Sequence, residues 1–406
     1  MPAGPGADLP AGPGADPPLL VPLAATEDPQ VVRQELAQRL ADAPAFPQAD
    51  LLLRTSGSTT GTGSLVAVSA RALAASARAT HQRLGGPGTW VLALPCHHVA
   101  GLQVLVRSLL AQQAPVVVDT SDGFHPEVLA AALEQALAQA GERPVYTALV
   151  PTQLYDALQH PGARQELSRL GAVLVGGAAA GTALLEQARA AQVPVVRTYG
   201  MSETGGGCVY EGQPLDGVQV RIESPESDGV GRVVLAGPVL AEGYAATQAG
   251  SGTVFRQDAA GRRELLTSDL GRLVPGPGGE PRLEVLGRVD DLIVTGGVKV
   301  RPEVVEQVLL SLPGVAQACV VGVPHERWGS VVTGVVVPEP GVLADQDWCE
   351  ELRQLVRSRL PGAQSPKQVL TVEHLPLRGP GKVDRRALAA WVAQRSLAPL
   401  PGSRLR

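Results

Sequence analysis

Aromatic side chains are scarce in this chain of 406 residues, with three Phe, four Trp and five Tyr. That leaves little for stacking on exposed bases, and a net charge of −5 with no basic run argues further against nucleic acid as a partner. No apolar stretch approaches the roughly 18–20 residues that a membrane span needs, so none is expected. Cysteine is also rare. Cys96, Cys208, Cys319 and Cys349 stand far apart with no Cys-x-x-Cys spacing, which disfavours a structural zinc site or a disulfide framework and suits a reducing compartment. The N-terminus lacks the charged start and apolar run of a signal peptide. The expectation is a cytoplasmic protein, and the sequence leaves homo-oligomerisation open.

What is present reads as globular: 44% of residues are hydrophobic and 18% charged, with 47 Gly and 35 Pro. The chain is long for a single core, so two domains are expected. Residues 1–18 carry Ala-Gly-Pro-Gly-Ala-Asp twice, a Pro/Gly-rich repeat too poor in apolar surface to offset its ordering entropy, and read as a disordered tail. A helical pattern follows at 28–42, then an apolar run Leu51-Leu52-Leu53 with the character of a buried strand. From there the chain alternates. Helices are expected at 69–84, 99–111, 126–140, 152–159 and 182–191, and strands at 89–94, 116–118, 145–150, 172–175 and 195–198. This spacing predicts parallel sheet in a layered α/β architecture. After about residue 216, Gly-punctuated β segments (218–222, 231–236, 264–266, 282–286) suggest a mostly antiparallel subdomain. The remainder, with helices at 303–311 and 348–359 and strands at 316–323, 331–337 and 368–372, reads as a compact α+β unit.

Several stretches carry chemistry. Thr55-Ser56-Gly57-Ser58-Thr59-Thr60-Gly61-Thr62-Gly63-Ser64 concentrates hydroxyls and glycine amides that can donate to a phosphate chain. A flexible Ser/Gly linker is the plain alternative, and with no Gly-Lys-Ser/Thr the run is not a Walker A loop. Thr198-Tyr199-Gly200-Met201-Ser202-Glu203-Thr204 follows a Val-rich strand. A carboxylate between hydroxyls there suits Mg²⁺ held mostly by water and phosphate, and an aromatic can lie against a purine. Asp269, in Thr267-Ser268-Asp269-Leu270-Gly271, is by itself more often a turn former. Arg288 precedes Asp290, Asp291 and a short apolar triplet, after which Gly296-Gly297 makes a turn; alone this reads equally well as a solvated turn. A lysine such as Lys382, in Pro376-Leu377-Arg378-Gly379-Pro380-Gly381-Lys382-Val383-Asp384-Arg385, is ordinarily a surface residue.

Together these stretches resemble, in order over roughly residues 50–390, the motifs of the adenylate-forming enzymes, the superfamily of acyl-CoA synthetases, luciferases and peptide-synthetase adenylation domains. The resemblance implies an N-terminal adenylation domain at 19–289, of layered α/β sheets plus a β subdomain. A small mobile α+β lid at 290–406 would pivot at Asp290. Thr55, Ser56, Gly57, Ser58, Thr59 and Gly61 would hold the phosphates. Glu203 would ligate Mg²⁺, Tyr199 would flank the adenine with Gly200 and Ser202 alongside, and Gly176 and Gly177 would pack on its other side. Asp269 and Arg288 would bind the ribose. Lys382 would bridge the attacking carboxylate and the α-phosphate, and Gly296 and Gly297 would lie on the path of CoA. The phosphate loop departs from the family's Ser-Gly-(Ser/Thr)-Thr-Gly-x-Pro-Lys pattern: it has one extra residue, Gly63 for Pro and Ser64 for Lys. The usual cation is therefore missing, which implies weaker MgATP binding or compensation by a basic group that the sequence does not identify.

For the acid, Leu94-Pro95-Cys96-His97-His98-Val99-Ala100-Gly101-Leu102-Gln103-Val104-Leu105-Val106-Arg107-Ser108, Val150-Pro151-Thr152-Gln153-Leu154 and Ser202–Tyr210 look like the o-succinylbenzoate–CoA ligases of actinobacterial type, which act in menaquinone biosynthesis. That resemblance places His98, Thr152, Ser202 and Gly205 beside an aromatic carboxylic acid and implies ATP and CoA as co-substrates. The alternatives are a ligase for another aryl or short-chain acid and a non-catalytic nucleotide-binding homologue. A carrier-loading adenylation domain is disfavoured because no carrier follows residue 406.

Overall fold

A computed structural model describes residues 19–40, 44, 46–55, 63–246, 253–360, 362–377 and 383–396. The tail at 1–18, Ser56 to Thr62 of the phosphate loop and Lys382 lie outside the described residues. By contacts the chain divides into two units. The first holds most residues up to Glu284; the second holds Val285 onward together with Gly181–Leu185 and Ser268–Gly271.

In the first unit, helix α1 (Pro29–Arg39) opens with Pro29 and is capped by the Asp28 side chain, which accepts from Gln30 N. It ends at Arg39, three residues short of the expected 28–42. Helices α2 (Ala70–Arg83), α3 (Val99–Leu110), α4 (Pro126–Ala140), α5 (Pro151–Gln159), α6 (Pro161–Leu167) and α7 (Thr182–Ala190) follow. Strands Val116–Val117, Thr89–Leu92, Val145–Leu149, Ala172–Val175 and Val195–Met201 lie side by side in that order, all parallel, as the strand–helix alternation predicted. Gly206–Tyr210 and Gln213–Pro214 extend this sheet antiparallel. Helix α6 was not expected from sequence. Its Pro161-Gly162 start looks like a break, but Pro at the first turn and His160 Nδ1, accepting from Ala163 N at 3.1 Å, make it a helix start.

The Leu51–Leu53 run is a strand, but it does not join the parallel sheet. Leu51–Arg54 pairs antiparallel with Leu65–Val68, which pairs antiparallel with Gly243–Ala246, forming a separate three-stranded sheet. Leu52, Leu65, Ala67 and Ala245 pack with Val32 and Leu36 of α1 on one face. Leu51, Leu53, Val66 and Val68 pack with Leu73 of α2 and Val99, Leu102 and Val106 of α3 on the other. Burial on both faces explains the unbroken apolar run. The β subdomain is antiparallel as expected: Gln219–Glu223 pairs Gly231–Ala236, and Val254–Gln257 pairs Arg263–Pro275.

The second unit is the expected α+β fold. Strands Val315–His325 and Gly329–Pro338 form a long antiparallel pair, with Gln368–Thr371 parallel to the latter. Helices α8 (Pro302–Leu310) and α9 (Gln346–Arg359) cover one face through Val305, Leu309, Leu352 and Val356. Helix α10 (Arg385–Ser396) covers the other through Leu388 and Val392. The sequence does not mark it, because Asp384 and Arg385 at its start belong to the run around Lys382. The Asp384 carboxylate caps it, accepting from Arg386 N at 3.1 Å and Ala387 N at 3.0 Å.

Arg385 ties α10 to α8 and to the turn holding Asp290. Its Nη2 donates to Glu306 Oε2 at 2.9 Å and its Nη1 to Val320 O at 2.9 Å, with Glu303 3.6 Å and Asp291 3.7 Å away. Three carboxylates thus share one guanidinium. Burial pushes Glu303 up to about 7, against the pull of Arg385 and with reinforcement from Glu306 and Asp291. The folded state therefore holds this proton more tightly than the unfolded chain, and its stabilising effect is lost as pH rises through the folded value. Conformational stability is expected to fall between the ordinary value of 4.5 and about 7. Glu303→Gln should flatten that slope in urea melts across this window, and an unchanged slope would refute the assignment. A second expectation concerns the turn that carries Glu203. A Cβ on Gly200 would stand 2.1 Å from Gly206 O, a backbone atom that cannot swing aside. Gly200→Ala should cost roughly 2 kcal/mol or more in the same assay, as overpacking does; a loss under about 0.5 kcal/mol, the scale of an unstrained surface change, would contradict it.

Candidate active site

The phosphate loop is the connection of a β-hairpin. At its base Thr55 N donates to Ser64 O at 2.9 Å, and Ser64 N donates to Thr55 Oγ1 at 2.8 Å. Ser64 is buried where the family's pattern has Lys. Two arginines that sequence reading did not single out stand at this base. Arg39, from the last turn of α1, donates Nη2 to Gly63 O at 2.6 Å. Arg54, the residue before Thr55, pairs with Glu27. A cavity of about 190 Å³ opens here, lined by Ala24, Glu27, Arg54, Thr55, His97 and His98. The His97 and His98 rings lie 4.2 Å apart, and burial pulls the His97 pKa down, favouring the neutral ring. A larger cavity of about 530 Å³ is lined by Arg221, Arg256, Asp258, Arg262 and Glu264 among others and contains none of the motif residues.

The strand Val195–Met201 delivers the carboxylate. It ends in a tight turn, Ser202–Thr204, in which Thr204 Oγ1 accepts from Met201 N at 2.9 Å and Gly205 takes the left-handed conformation. Glu203 is buried in this turn. Tyr244 Oη donates to Glu203 Oε1 at 2.7 Å, and Ala241 N donates to Glu203 O at 2.9 Å. Tyr244 belongs to the three-stranded sheet that carries the phosphate loop. Among the described residues no cluster of three or more His, Cys, Asp or Glu could cage a metal. A single fixed carboxylate fits a cation that takes its remaining ligands from water and phosphate.

Gly176 and Gly177 follow the neighbouring strand. A Cβ on Gly176 would meet Thr198 Oγ1 at 2.3 Å, so its glycine is what lets the loop lie against the residue before Tyr199. Gly177 has φ +82°. The structure thus brings Gly176, Gly177, Tyr199, Gly200, Ser202 and Glu203 to adjacent strand ends of one sheet. The acid-side residues come from two helix starts and one turn, the turn holding both Ser202 and Gly205. His98 is the N-cap of α3 and Thr152 lies in the first turn of α5. Gly205 is held by Gln103, whose Nε2 donates to its carbonyl at 2.6 Å.

Within the second unit, Asp269 is buried and pairs with Arg288, Nη1 to Oδ1 at 3.6 Å. Arg288 Nη2 also donates to Ser268 Oγ at 2.7 Å and to Asp290 Oδ2 at 3.2 Å, so the two residues expected at the ribose and the expected pivot share one polar cluster. Gly296 and Gly297 form the turn between Ile293–Thr295 and Val298–Val300, with φ +57° and +81°. Such a turn requires two left-handed residues. A Cβ on Gly296 would stand 2.9 Å from the Trp328 ring, whereas Gly297 has open space. Although Lys382 is not described, its loop is closed on both sides by a bridge between Leu377 and Val383 and by Asp384 N donating to Pro376 O at 2.7 Å. The four cysteines are free thiols, as expected, and among the described residues no helix is long and apolar enough to cross a membrane.

Comparison with known proteins agrees with this geometry. The profile of the AMP-binding enzyme family matches residues 19–245, and that of the AMP-binding enzyme C-terminal domain matches 304–382. The chain is 43% identical over 338 residues to a probable 2-succinylbenzoate–CoA ligase of Mycobacterium tuberculosis, covering 83% of each protein. It is 32% identical to a 2-succinylbenzoate–CoA ligase of Bacillus cereus, over 75% of this chain and 62% of that one. Among solved structures, it resembles ATP-bound MatB from Rhodopseudomonas palustris, with a TM-score of 0.71 and 25% identity over 86% of this chain and 69% of that one. It also resembles the o-succinylbenzoate CoA synthetase of Bacillus subtilis in complex with its acyl-adenylate, with a TM-score of 0.65 and 26% identity over 88% of this chain and 70% of that one. A phosphate-type hairpin, a strand-end Tyr-Gly-Met-Ser-Glu and the matching profiles lead to one conclusion: the chain belongs to the AMP-binding enzyme family, with the fold of the adenylate-forming enzymes.

Proposed function

We propose that this protein is a 2-succinylbenzoate–CoA ligase that works in two steps, a reaction of menaquinone biosynthesis. The observation that carries the reaction class is the buried Glu203, fixed by Tyr244 of the sheet that also bears the phosphate loop. The M. tuberculosis relative, matched over most of both chains, supports the choice of acid.

In the first step a carboxylate oxygen of the succinyl arm attacks the α-phosphorus of ATP. The bond to the β-phosphate oxygen breaks, leaving acyl-adenylate and pyrophosphate. In the second step the CoA thiolate attacks the acyl carbonyl and AMP departs with the electron pair of the acyl–oxygen bond. Mg²⁺, held by Glu203 and by phosphate and water oxygens, would neutralise charge on the leaving pyrophosphate. The remaining tasks fall to the protein. Tyr199, Gly176 and Gly177 flank the adenine, and Asp269 with Arg288 binds the ribose hydroxyls. Thr55 and the loop amides hold the phosphates. His98, Thr152, Ser202 and Gly205 surround the acid. Lys382 places a cation between two mutually repelling oxyanions and so stabilises the charge of the first transition state. The second unit, turning at Asp290, then withdraws Lys382 and brings Gly296 and Gly297 to the path of the CoA thiol. ATP, CoA and a small carboxylic acid are the partners in this reading, with the cytoplasm as its setting.

Lys382→Ala should slow adenylate formation by ~10²-fold or more, the effect of losing one strong charge-stabilising donor. Thioester formation from supplied acyl-adenylate should survive; equal damage to both half-reactions would count against the assignment. Asp290→Pro should do the opposite, leaving acid-dependent ATP–pyrophosphate exchange intact while blocking transfer to CoA, and unimpaired thioester formation would remove the pivot from the account. The same exchange assay across aryl and short-chain acids tests the substrate. Highest kcat/KM for 2-succinylbenzoate is expected, and a stronger preference for another acid would replace it.

A further inference from the structure

No cation belongs to the loop that the proposed function gives to the phosphates of ATP. Thr55 to Ser64 is made of hydroxyl residues and glycines alone. Such groups donate hydrogen bonds to phosphate oxygens but neutralise none of their charge, and a triphosphate stays negative even with Mg²⁺ bound. The groups at the loop's entry do not supply the missing charge. Arg54 pairs with Glu27, whose carboxylate also accepts from Ala24 N at 2.7 Å. The hydrogen bond from Arg54 holds that carboxyl below its ordinary pKa, so both partners are ionised and their charges cancel. His97 lines the same cavity, and burial pulls its pKa down toward the neutral ring.

The loop's exit is different. Val32 and Leu36 seat α1 against Leu52, Leu65 and Ala67 of the three-stranded sheet. Arg39 follows Leu36 by three residues and shares its side of the helix, while Leu65 directly follows Ser64. The packing that seats α1 therefore carries its last turn to the end of the loop. There Arg39 Nη2 donates at 2.6 Å to Gly63 O, the carbonyl of the peptide bond that joins Gly63 to Ser64. That acceptor is neutral. Among the described residues the carboxylate paired with Arg39 is Glu35, 3.3 Å away, one turn earlier on α1 and half exposed. A solvated i,i+4 pair of this kind offsets little of the charge. The Arg39 side chain is itself only one-fifth exposed, and a guanidinium has more donors than these two bonds use. A cation is thus fixed beside Ser64, with donors left for an anion.

We propose that Arg39 is the cation of this phosphate loop: anchored on the Gly63 carbonyl, its guanidinium binds the outer phosphates of ATP and supplies the charge that Ser64 does not carry. A guanidinium suits the task from a neighbouring helix, because its fork can donate to a carbonyl and to phosphate oxygens at once. The contribution is specific to the triphosphate. AMP has no β- or γ-phosphate and gains nothing from Arg39. This inference rests on the reading of the protein as an adenylate-forming enzyme, which places ATP at the loop, and is independent of the acid it activates.

The test is calorimetric titration of the full chain with MgATP and, separately, with AMP, in the absence of acid and CoA. In Arg39→Gln the side-chain amide can still donate to Gly63 O but carries no charge. Its Kd for MgATP should rise by ~10-fold or more, the effect of losing hydrogen bonds to a charged partner, while its Kd for AMP stays within about twofold of wild type. Arg39→Lys, which keeps a point charge at the loop, should bind MgATP within about threefold of wild type. A role confined to pinning the loop would be met by Gln as well as by Arg. Arg39→Gln that binds MgATP as tightly as wild type therefore overturns the proposal. So does an equal loss of MgATP and AMP, or an Arg39→Lys enzyme as weak as Arg39→Gln. A wild type that binds neither nucleotide is a different failure: it overturns the adenylate-forming reading itself, and this inference falls with it.

Discussion

One hydrogen bond sets the geometry of the first unit: Tyr244 Oη to Glu203 Oε1 at 2.7 Å. Glu203 hangs from the end of the parallel sheet, and Tyr244 from the third strand of a separate antiparallel sheet. The first two strands of that sheet are joined by the phosphate loop. Through this contact a carboxylate and the hairpin that carries the Thr55–Ser64 loop, from distant parts of the chain, are tied together within the first unit. A hydrogen bond to a charged acceptor is worth about 1.5–3 kcal/mol, enough to fix one rotamer of the carboxylate. The Ala241 amide, bonded to the Glu203 carbonyl, fixes the backbone as well.

Charge is distributed unevenly around this frame. Ser64 removes the usual cation from the phosphate loop, while Arg39 and Arg54 stand at its base, each already engaged with a carbonyl or a carboxylate. In the second unit Arg385 is shared by three carboxylates, and Arg288 by Asp269 and Asp290. Among the described residues Arg107 of α3 is the one buried arginine and no carboxylate pairs with it, whereas these others are partly exposed ties between elements.

Local patterns made much of this legible in the sequence. Strand–helix alternation indicates the parallel sheet because each crossover lies within one contiguous segment, and Gly176-Gly177 and Tyr199–Glu203 lie at strand ends where that sheet places them. Pairing across long separations was not legible. Leu51–Leu53 reads as a buried strand either way, since both of its faces are covered, and nothing local says that its sheet is completed by Gly243–Ala246. The same distance hid Tyr244, whose role depends on a partner 41 positions away. Gln103, Arg107 and Ser108 are the polar residues of a mostly apolar α3, and nothing local says that all three are buried. Lys382 rests on its motif, with the residues that close its loop described on either side.

The central claim is that Tyr244 holds Glu203 where the phosphate loop can use it. Tyr244→Phe keeps the ring and removes the hydrogen bond. Measured by ATP–pyrophosphate exchange with 2-succinylbenzoate, the KM for MgATP should rise by roughly tenfold or more, the equivalent of about 1.5 kcal/mol or above, while KM for the acid changes far less. An unchanged KM for MgATP in a folded Tyr244→Phe enzyme would contradict the account.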